Sequence, residues 1–142
     1  MNVYFRRQII WENCGVLKSK DLLNNGLEKI RIIQTKAKDI DIRIDEHSCE
    51  ELALIFDLQS SLISAEATIL SALERNESRG SHQRSDFKET DPSFAFNCLI
   101  QMDLTSQKLK VSKSPLKKLT KPLQNFVNGA RREVNFKNKL LE

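Results

Sequence analysis

Ile55-Phe56-Asp57-Leu58-Gln59-Ser60-Ser61-Leu62-Ile63-Ser64-Ala65-Glu66-Ala67-Thr68-Ile69-Leu70-Ser71-Ala72 decides the fold of this chain. Ile55, Leu62 and Ile69 are seven residues apart, as are Phe56, Ile63 and Leu70. Leu58, Ala65 and Ala72 make a third, smaller row beside them. Apolar rows at that spacing lie along one side of a helix and pack antiparallel neighbours at shallow angles. Just upstream, Ser48-x-x-Glu51 has the form of a capping box, in which each side chain satisfies a free backbone amide. The spacing predicts a helix of about 25 residues that ends near Arg75 to Ser78.

Working outward, Tyr4 to Cys14 reads as a short helix carrying Ile9, Ile10 and Trp11, stopped by Gly15. A second helix is expected after Ser19, because Leu23, Leu27, Ile30, Ile33 and Ala37 share one face. Asn24, Asn25 and Gly26 weaken it by roughly 1 kcal/mol or more of propensity, so packing must hold it. Asp39 to Glu46, with Ile40, Ile42 and Ile44 alternating, reads as an extended connector.

After Pro92 the period changes to two. Phe94, Phe96, Cys98, Ile100 and Met102 point one way, and Leu109 and Val111 alternate with lysines. That predicts a hairpin turning through Asp103 to Gln107. Ser114-Pro115 to Lys121-Pro122 reads as irregular, and Leu123, Val127, Ala130, Val134 and Leu141 as one last amphipathic helix. The expected fold is mainly α: a three-helix up-down bundle of the spectrin-repeat kind over residues 1–90. A β-hairpin and an irregular basic tail with a short helix, residues 91–142, would pack on it as part of one domain.

The length of 142 residues suits one domain with a core. No apolar run approaches the roughly 18 residues a membrane-spanning helix needs, and the N-terminus lacks a secretory leader. Cys14, Cys49 and Cys98 are widely spaced and odd in number, which reads as reduced thiols of a cytoplasmic protein. The net charge of +4 is unevenly spread. Residues 1–107 hold 13 Lys/Arg against 17 Asp/Glu, a net of −4, whereas residues 108–142 hold 10 against 2, a net of +8. Such a tail could meet nucleic acid, an anionic surface or an acidic face of another domain.

Glycines at 15, 26, 80 and 129 are too scattered to cradle a phosphate, and no nucleophile elbow is present. Pairs such as His47/Cys49 or His82/Asp86 lack the further ligands a metal needs. Ser78 or Ser81 beside His82 has no orienting carboxylate, and Arg79 and Arg84 would hold Glu77 and Asp86 ionised. No catalytic, cofactor-binding or metal-binding residue is therefore expected in this chain. Arg75, Arg79 and Arg84 with Glu77 are instead forked donors and an acceptor suited to fixed hydrogen bonding at a helix end.

Ser71-Ala72-Leu73-x-Arg75-x-Glu77-Ser78-Arg79-Gly80-x-His82-x-Arg84-x-Asp86-Phe87 closely resembles the signature of the C-terminal domain of succinate dehydrogenase and fumarate reductase flavoprotein subunits. Trp11 to Val16 resembles that domain's first helix end, Leu22 to Ile30 its second helix, and Asp91 with the following strand its acidic turn and hairpin. The resemblance spans roughly Tyr4 to Leu116. Departures are Ser81 where alanine is usual, Asn76 where threonine or lysine is commoner, and a basic helix after Pro122, beyond the usual end.

The resemblance implies a helical domain that packs on the flavin-binding and capping domains of the same enzyme. FAD and the catalytic residues would belong to those domains. It implies that Arg75, Glu77, Ser78, Arg79, His82 and Arg84 form a domain-interface motif. An iron–sulfur subunit or an assembly factor is a further implied partner, and the implied location is cytoplasmic, at the membrane face through a complex. L-aspartate oxidase shares Glu-Ser-Arg-Gly-x-His and is the second reading. Nucleic-acid binding by the tail is a third, weakened by having only Phe126 and Phe136 to stack on bases. A free-standing helical adaptor that kept the fold and lost the enzyme is a fourth.

Overall fold

The computed structural model describes residues 3–40 and 49–129. Helix α1 spans Val3–Cys14, α2 Lys20–Ala37 and α3 Cys49–Glu74. Strand β1, Leu17–Lys18, lies between α1 and α2, and β2, Gln83–Arg84, follows α3. A 3-10 turn at Pro92–Phe94 leads into β3, Phe96–Asp103, and β4, Lys108–Pro115. Residues 121–129 form a last helix, α4. The molecule is thus mainly helical with one small antiparallel hairpin. Ile42, Ile44, His47 and the Ser48 cap lie outside the described residues, as do Ala130, Val134 and Leu141 of the last helical face.

Ser19 starts α2 as expected: its backbone is extended and its Oγ accepts from Leu22 N at 3.2 Å. Leu23, Ile30, Ile33 and Ala37 of α2 meet Leu62, Ile69 and Ala72 of α3, and Ile9 and Cys14 of α1 complete the core. Fully burying a side chain such as Leu23 or Ile69 contributes roughly 1.5–3 kcal/mol. Beside Ile30, Arg31 Nε and Gln34 Nε2 donate to the two oxygens of Glu66 at 3.0 and 2.8 Å. Gly26 stands by Ile69 and Arg31 by Glu66, so α2 and α3 run in opposite directions.

Gly26 is no defect. A Cβ there would lie 2.7 Å from Asn13 Cβ, so its absence lets α1 approach α2. Asn13 is itself buried, donates to Ile9 O at 2.8 Å and accepts from Asn25 Nδ2 at 3.2 Å. The Asn-Asn-Gly run that costs helix propensity is therefore where the two helices touch.

Not every row of α3 is inside. Ile69 and Leu62 are buried, but Phe56 is 59% and Ile63 38% exposed, because α1 and α2 cover only one side of the helix. The hairpin covers part of the rest near the C-terminal end. There Cys98 Sγ reaches Ser71 O at 3.9 Å and Lys113 Nζ pairs with Glu74 at 2.7 Å. Contrary to the sequence expectation, residues Glu51–Glu74 are by length and composition apolar enough to cross a membrane, with mean hydropathy 1.3. Glu66, bonded to α2, and the buried Leu62, Ile69 and Ala72 fit a helix that packs one face against α2.

Two further expectations change. Phe94 belongs to the 3-10 turn rather than the strand, although its ring stays 5.5 Å from that of Phe96. Ser114 and Pro115 continue β4, paired with Asn97 and Phe96. The parallel pairing of β1 with β2, Leu17 opposite Gln83 and Lys18 opposite Arg84, has no signal in the sequence pattern.

Candidate functional site

The site is built where α3 stops. A helix end leaves carbonyls without intrahelical donors, and here side chains from the following segment supply them. Arg84 Nη1 donates to Ala72 O at 3.0 Å and Arg75 O at 3.1 Å. The same guanidinium makes a two-point pair with Asp86, Nε to Oδ1 and Nη2 to Oδ2, both 2.7 Å. Asp86 Oδ2 also accepts from Lys20 N, the first residue of α2, at 2.9 Å. The Arg84 side chain is wholly buried, and Phe87 closes over it with its ring centre 5.0 Å from the guanidinium carbon.

Ser78 knots the backbone of this segment. Its Oγ accepts from Arg84 N at 2.8 Å and donates to Phe87 O at 2.7 Å. Its N–H donates to Glu89 O, and its carbonyl accepts from Thr90 Oγ1 at 2.7 Å. A hydroxyl held this way is structural and is not presented to a substrate.

Glu77, fully buried, is the second hub. Oε1 accepts from Arg75 Nη1 and from Arg79 Nε, and Oε2 accepts from Arg79 Nη2 at 3.0 Å and Asp91 N at 2.9 Å. Arg75 continues to the hairpin, donating to Phe94 O at 2.8 Å and Phe96 O at 2.6 Å while lying over the Phe96 ring. The hydrogen bonds from Arg79, then those from Asp91 N and Arg75, hold the Glu77 carboxyl down to about 2 against the opposing effect of burial. Arg84 likewise holds the Asp86 carboxyl well below the usual range, helped by Lys20 N.

Between the hubs the chain makes a tight turn. Arg79 and His82 exchange backbone hydrogen bonds at 2.8 and 3.0 Å, and Gly80 takes φ +56°, a conformation that favours glycine. His82 Nε2 donates to Arg75 O at 3.1 Å. Burial lowers the His82 pKa, and the cations of Lys18, Arg84 and Arg75 lower it further, against the pull of that hydrogen bond.

The structure therefore divides the six interface residues named from the sequence. Glu77, Ser78 and Arg84 are buried and bonded within this chain, because buried charges need partners close at hand. They shape a surface without being on it. Arg75 and His82 are partly buried, whereas Arg79 is half exposed, and Gly80, Ser81 and Gln83 stand at the surface beside it. Asp86 and Lys20 were not among the named residues. The two-residue spacing of Arg84 and Asp86 was the available signal for the first. Among the described residues, no group of three or more His, Cys, Asp or Glu side chains could hold a metal.

Comparison with known proteins gives this arrangement a family. Residues 6–135 match the family described as fumarate reductase flavoprotein C-term. A fumarate reductase (CoM/CoB) polypeptide of Methanothermobacter marburgensis is 30% identical over 100 residues, 70% of this chain and 18% of that protein. L-aspartate oxidase of Pyrococcus horikoshii is 32% identical over 81 residues, 57% of this chain and 13% of that protein. Among solved structures, a variant of E. coli quinol fumarate reductase FrdA matches 84% of this chain and 22% of its own with a TM-score of 0.71 and 27% identity. The chain spans about a fifth of the length of these relatives or less. The match to residue 135 also runs past Leu116, so the basic segment after Pro122 lies within the family's length and not beyond it. The chain belongs to the family of C-terminal domains of succinate dehydrogenase and fumarate reductase flavoprotein subunits.

Proposed function

We propose that this domain docks on the flavin-binding and capping portion of a dicarboxylate oxidoreductase and performs no catalysis of its own. FAD would be held by that portion, and its acceptor chemistry would run through an iron–sulfur subunit, with an assembly factor as a further partner. The observation that carries the reading is the surface next to the Arg79–Gln83 turn. Leu17 is paired with Gln83, and Trp11, Val16 and Leu17 are 77%, 67% and 62% exposed. Three large exposed apolar side chains on the segment that pairs with this turn, together with a half-exposed arginine on the turn, are the composition of an interface centre and rim. Glu77, Ser78 and Arg84 then act from behind, fixing the shape of the turn that Arg79 and His82 present. On this reading α1, α2 and α3 form an up-down bundle of the spectrin-repeat kind. Residues 1–90 and 91–142 fold with it as one unit.

The similarity to L-aspartate oxidase keeps the substrate at the level of a small dicarboxylate. The test is to express the chain alone and together with the flavin-binding portion of a fumarate reductase flavoprotein. Alone it is expected to fold, to be colourless and to leave succinate unoxidised. Together the two are expected to copurify, and R79E or W11E to break that association while helicity is kept. Stoichiometric flavin on the isolated chain would overturn the reading.

A further inference from the structure

We propose that residues 116–127 form an anchor for an anionic lipid surface, distinct from the turn at Arg79–Gln83. Between Asp103 and Glu133 the chain contains no acidic residue. The described part of that stretch, 104–129, carries six lysines. Lys110 and Lys113 pair with Asp103 and Glu74, and Lys117, Lys118 and Lys121 are the charges in the proposed anchor itself.

Within it several apolar side chains are turned outward, while Leu109, Val111 and Val127 are half-buried. Leu116 and Leu119, in the lead-in to α4, are more than half exposed, and in α4 itself Leu123 is 53% and Phe126 76% exposed. Leu123, Phe126 and Val127 are three and four residues apart and so share a helix face. The first turn of α4 is sound. Gln124 N donates to Thr120 O at 2.9 Å, and Pro122 sits where its missing N–H breaks no bond.

A short helix with leucine and phenylalanine on one face, preceded by lysines and free of carboxylates, is the pattern of a segment lying in a bilayer interface. Two signals act together there. The apolar face enters the headgroup region, while the lysines meet lipid phosphates, and each strengthens the other. The charge selects the occupant. An apolar groove on another protein would need the leucines and phenylalanine but not a run of 29 residues from 104 to 132 without a single acid.

The experiment is sedimentation of the full 142-residue chain with vesicles of phosphatidylcholine alone or with about one third phosphatidylglycerol. The expected result is binding to the anionic vesicles only, weakened about tenfold or more between low salt and ~0.5 M salt. L123S/F126S, which leaves the charge unchanged, is expected to weaken it by more than about tenfold. F126W is expected to shift its emission to the blue on anionic vesicles. Both positions are exposed, so circular dichroism should show the helices retained. Absence of binding to anionic vesicles overturns the proposal, and so does binding that L123S/F126S leaves unchanged. Association with an acidic protein or nucleic acid in place of vesicles overturns it as well.

Discussion

Arg84 and Asp86, two residues apart, form a two-point ion pair whose members each finish a different helix. The arginine covers carbonyls at the end of α3, and the aspartate accepts from the first amide of α2. One short segment therefore fixes the start of one helix against the end of another. β1 and β2 lie in the same place, with Ser85 N donating to Lys18 O at 2.8 Å. The clasp is what gives the Arg79–Gln83 turn a defined direction.

Replacing Arg84 should be among the costliest changes in the chain. R84M leaves the Ala72 and Arg75 carbonyls and the Asp86 carboxylate short of a donor. The expected loss is about 3–5 kcal/mol, a fall in Tm on the order of 10 °C or more. R84K keeps the charge but not the fork and should recover only part of it. D86N, at a side chain about one third exposed, should cost less, roughly 1–3 kcal/mol. Thermal unfolding followed by circular dichroism checks the order, and an R84M shift of less than about 2 °C would exclude the clasp.

Glu77 and Asp86 make the fold sensitive to acid. Both have folded pKa values below their unfolded ones, Glu77 going from 4.5 to about 2. For a depressed carboxylate the stabilisation is complete above the unfolded pKa and fades as pH falls through the folded one. Stability is thus expected to drop between 4.5 and about 2. E77Q should be less stable near pH ~7 and lose less on acidification. Urea unfolding over a pH series tests this, and parallel profiles for E77Q and the parent would contradict it.

Much of the helical frame is legible in the sequence because burial is periodic. Leu23, Ile30, Ile33, Leu62 and Ile69 repeat at helical spacing, and Ser19 marks a start by capping chemistry. Phe56 and Ile63 repeat equally well yet are exposed, since periodicity records a helix face but not what covers it. The burial of Glu77 and Arg84 is hidden for a different reason. Charge predicts exposure, although Arg75, Arg79 and Asp86 stand two residues from the groups they pair with. The backbone groups that complete the burial, Asp91 N for Glu77 and Ala72 O for Arg84, come from 14 and 12 residues away. The two-residue strands β1 and β2 are too short to carry any period at all.

Gly26 and Gly80 should respond to alanine for different reasons. In G26A the new Cβ meets Asn13 Cβ at 2.7 Å, and neither atom can swing away because both are fixed to helical backbone. The gain in helix propensity, roughly 1 kcal/mol, is expected to be outweighed by overpacking of about 1–3 kcal/mol. G80A meets nothing within 4 Å, so its cost is only that of φ +56°, about 1 kcal/mol. Denaturant unfolding should show both variants destabilised, by up to about 2 kcal/mol in G26A and about 1 kcal/mol in G80A, and only G26A should disturb the Asn13 to Asn25 hydrogen bond. A G26A protein as stable as the parent would mean that α1 does not approach α2 this closely.

Arg75 fastens the hairpin to the end of α3, and Cys98 can report whether it does. The thiol lies under the hairpin, with Sγ 3.9 Å from Ser71 O, and is partly buried. Arg75 donates to the carbonyls of Phe94, in the 3-10 turn, and Phe96, the first residue of β3, just ahead of Cys98. In R75A those carbonyls lose their donors, and Glu77 keeps only Arg79 and Asp91 N. Local opening of the hairpin then becomes easier while the helical core, which shares no side chain with this contact, stays closed. Thiol labelling read by mass spectrometry separates the two responses within one sample. Cys98 is expected to react about tenfold or more faster in R75A. Cys14, buried in the helical core with its thiol pKa raised by that burial, should keep its slow rate. Equal acceleration at both cysteines would mean that Arg75 supports the whole domain, and no acceleration at Cys98 would mean that the hairpin is held by its apolar face and Lys113 alone.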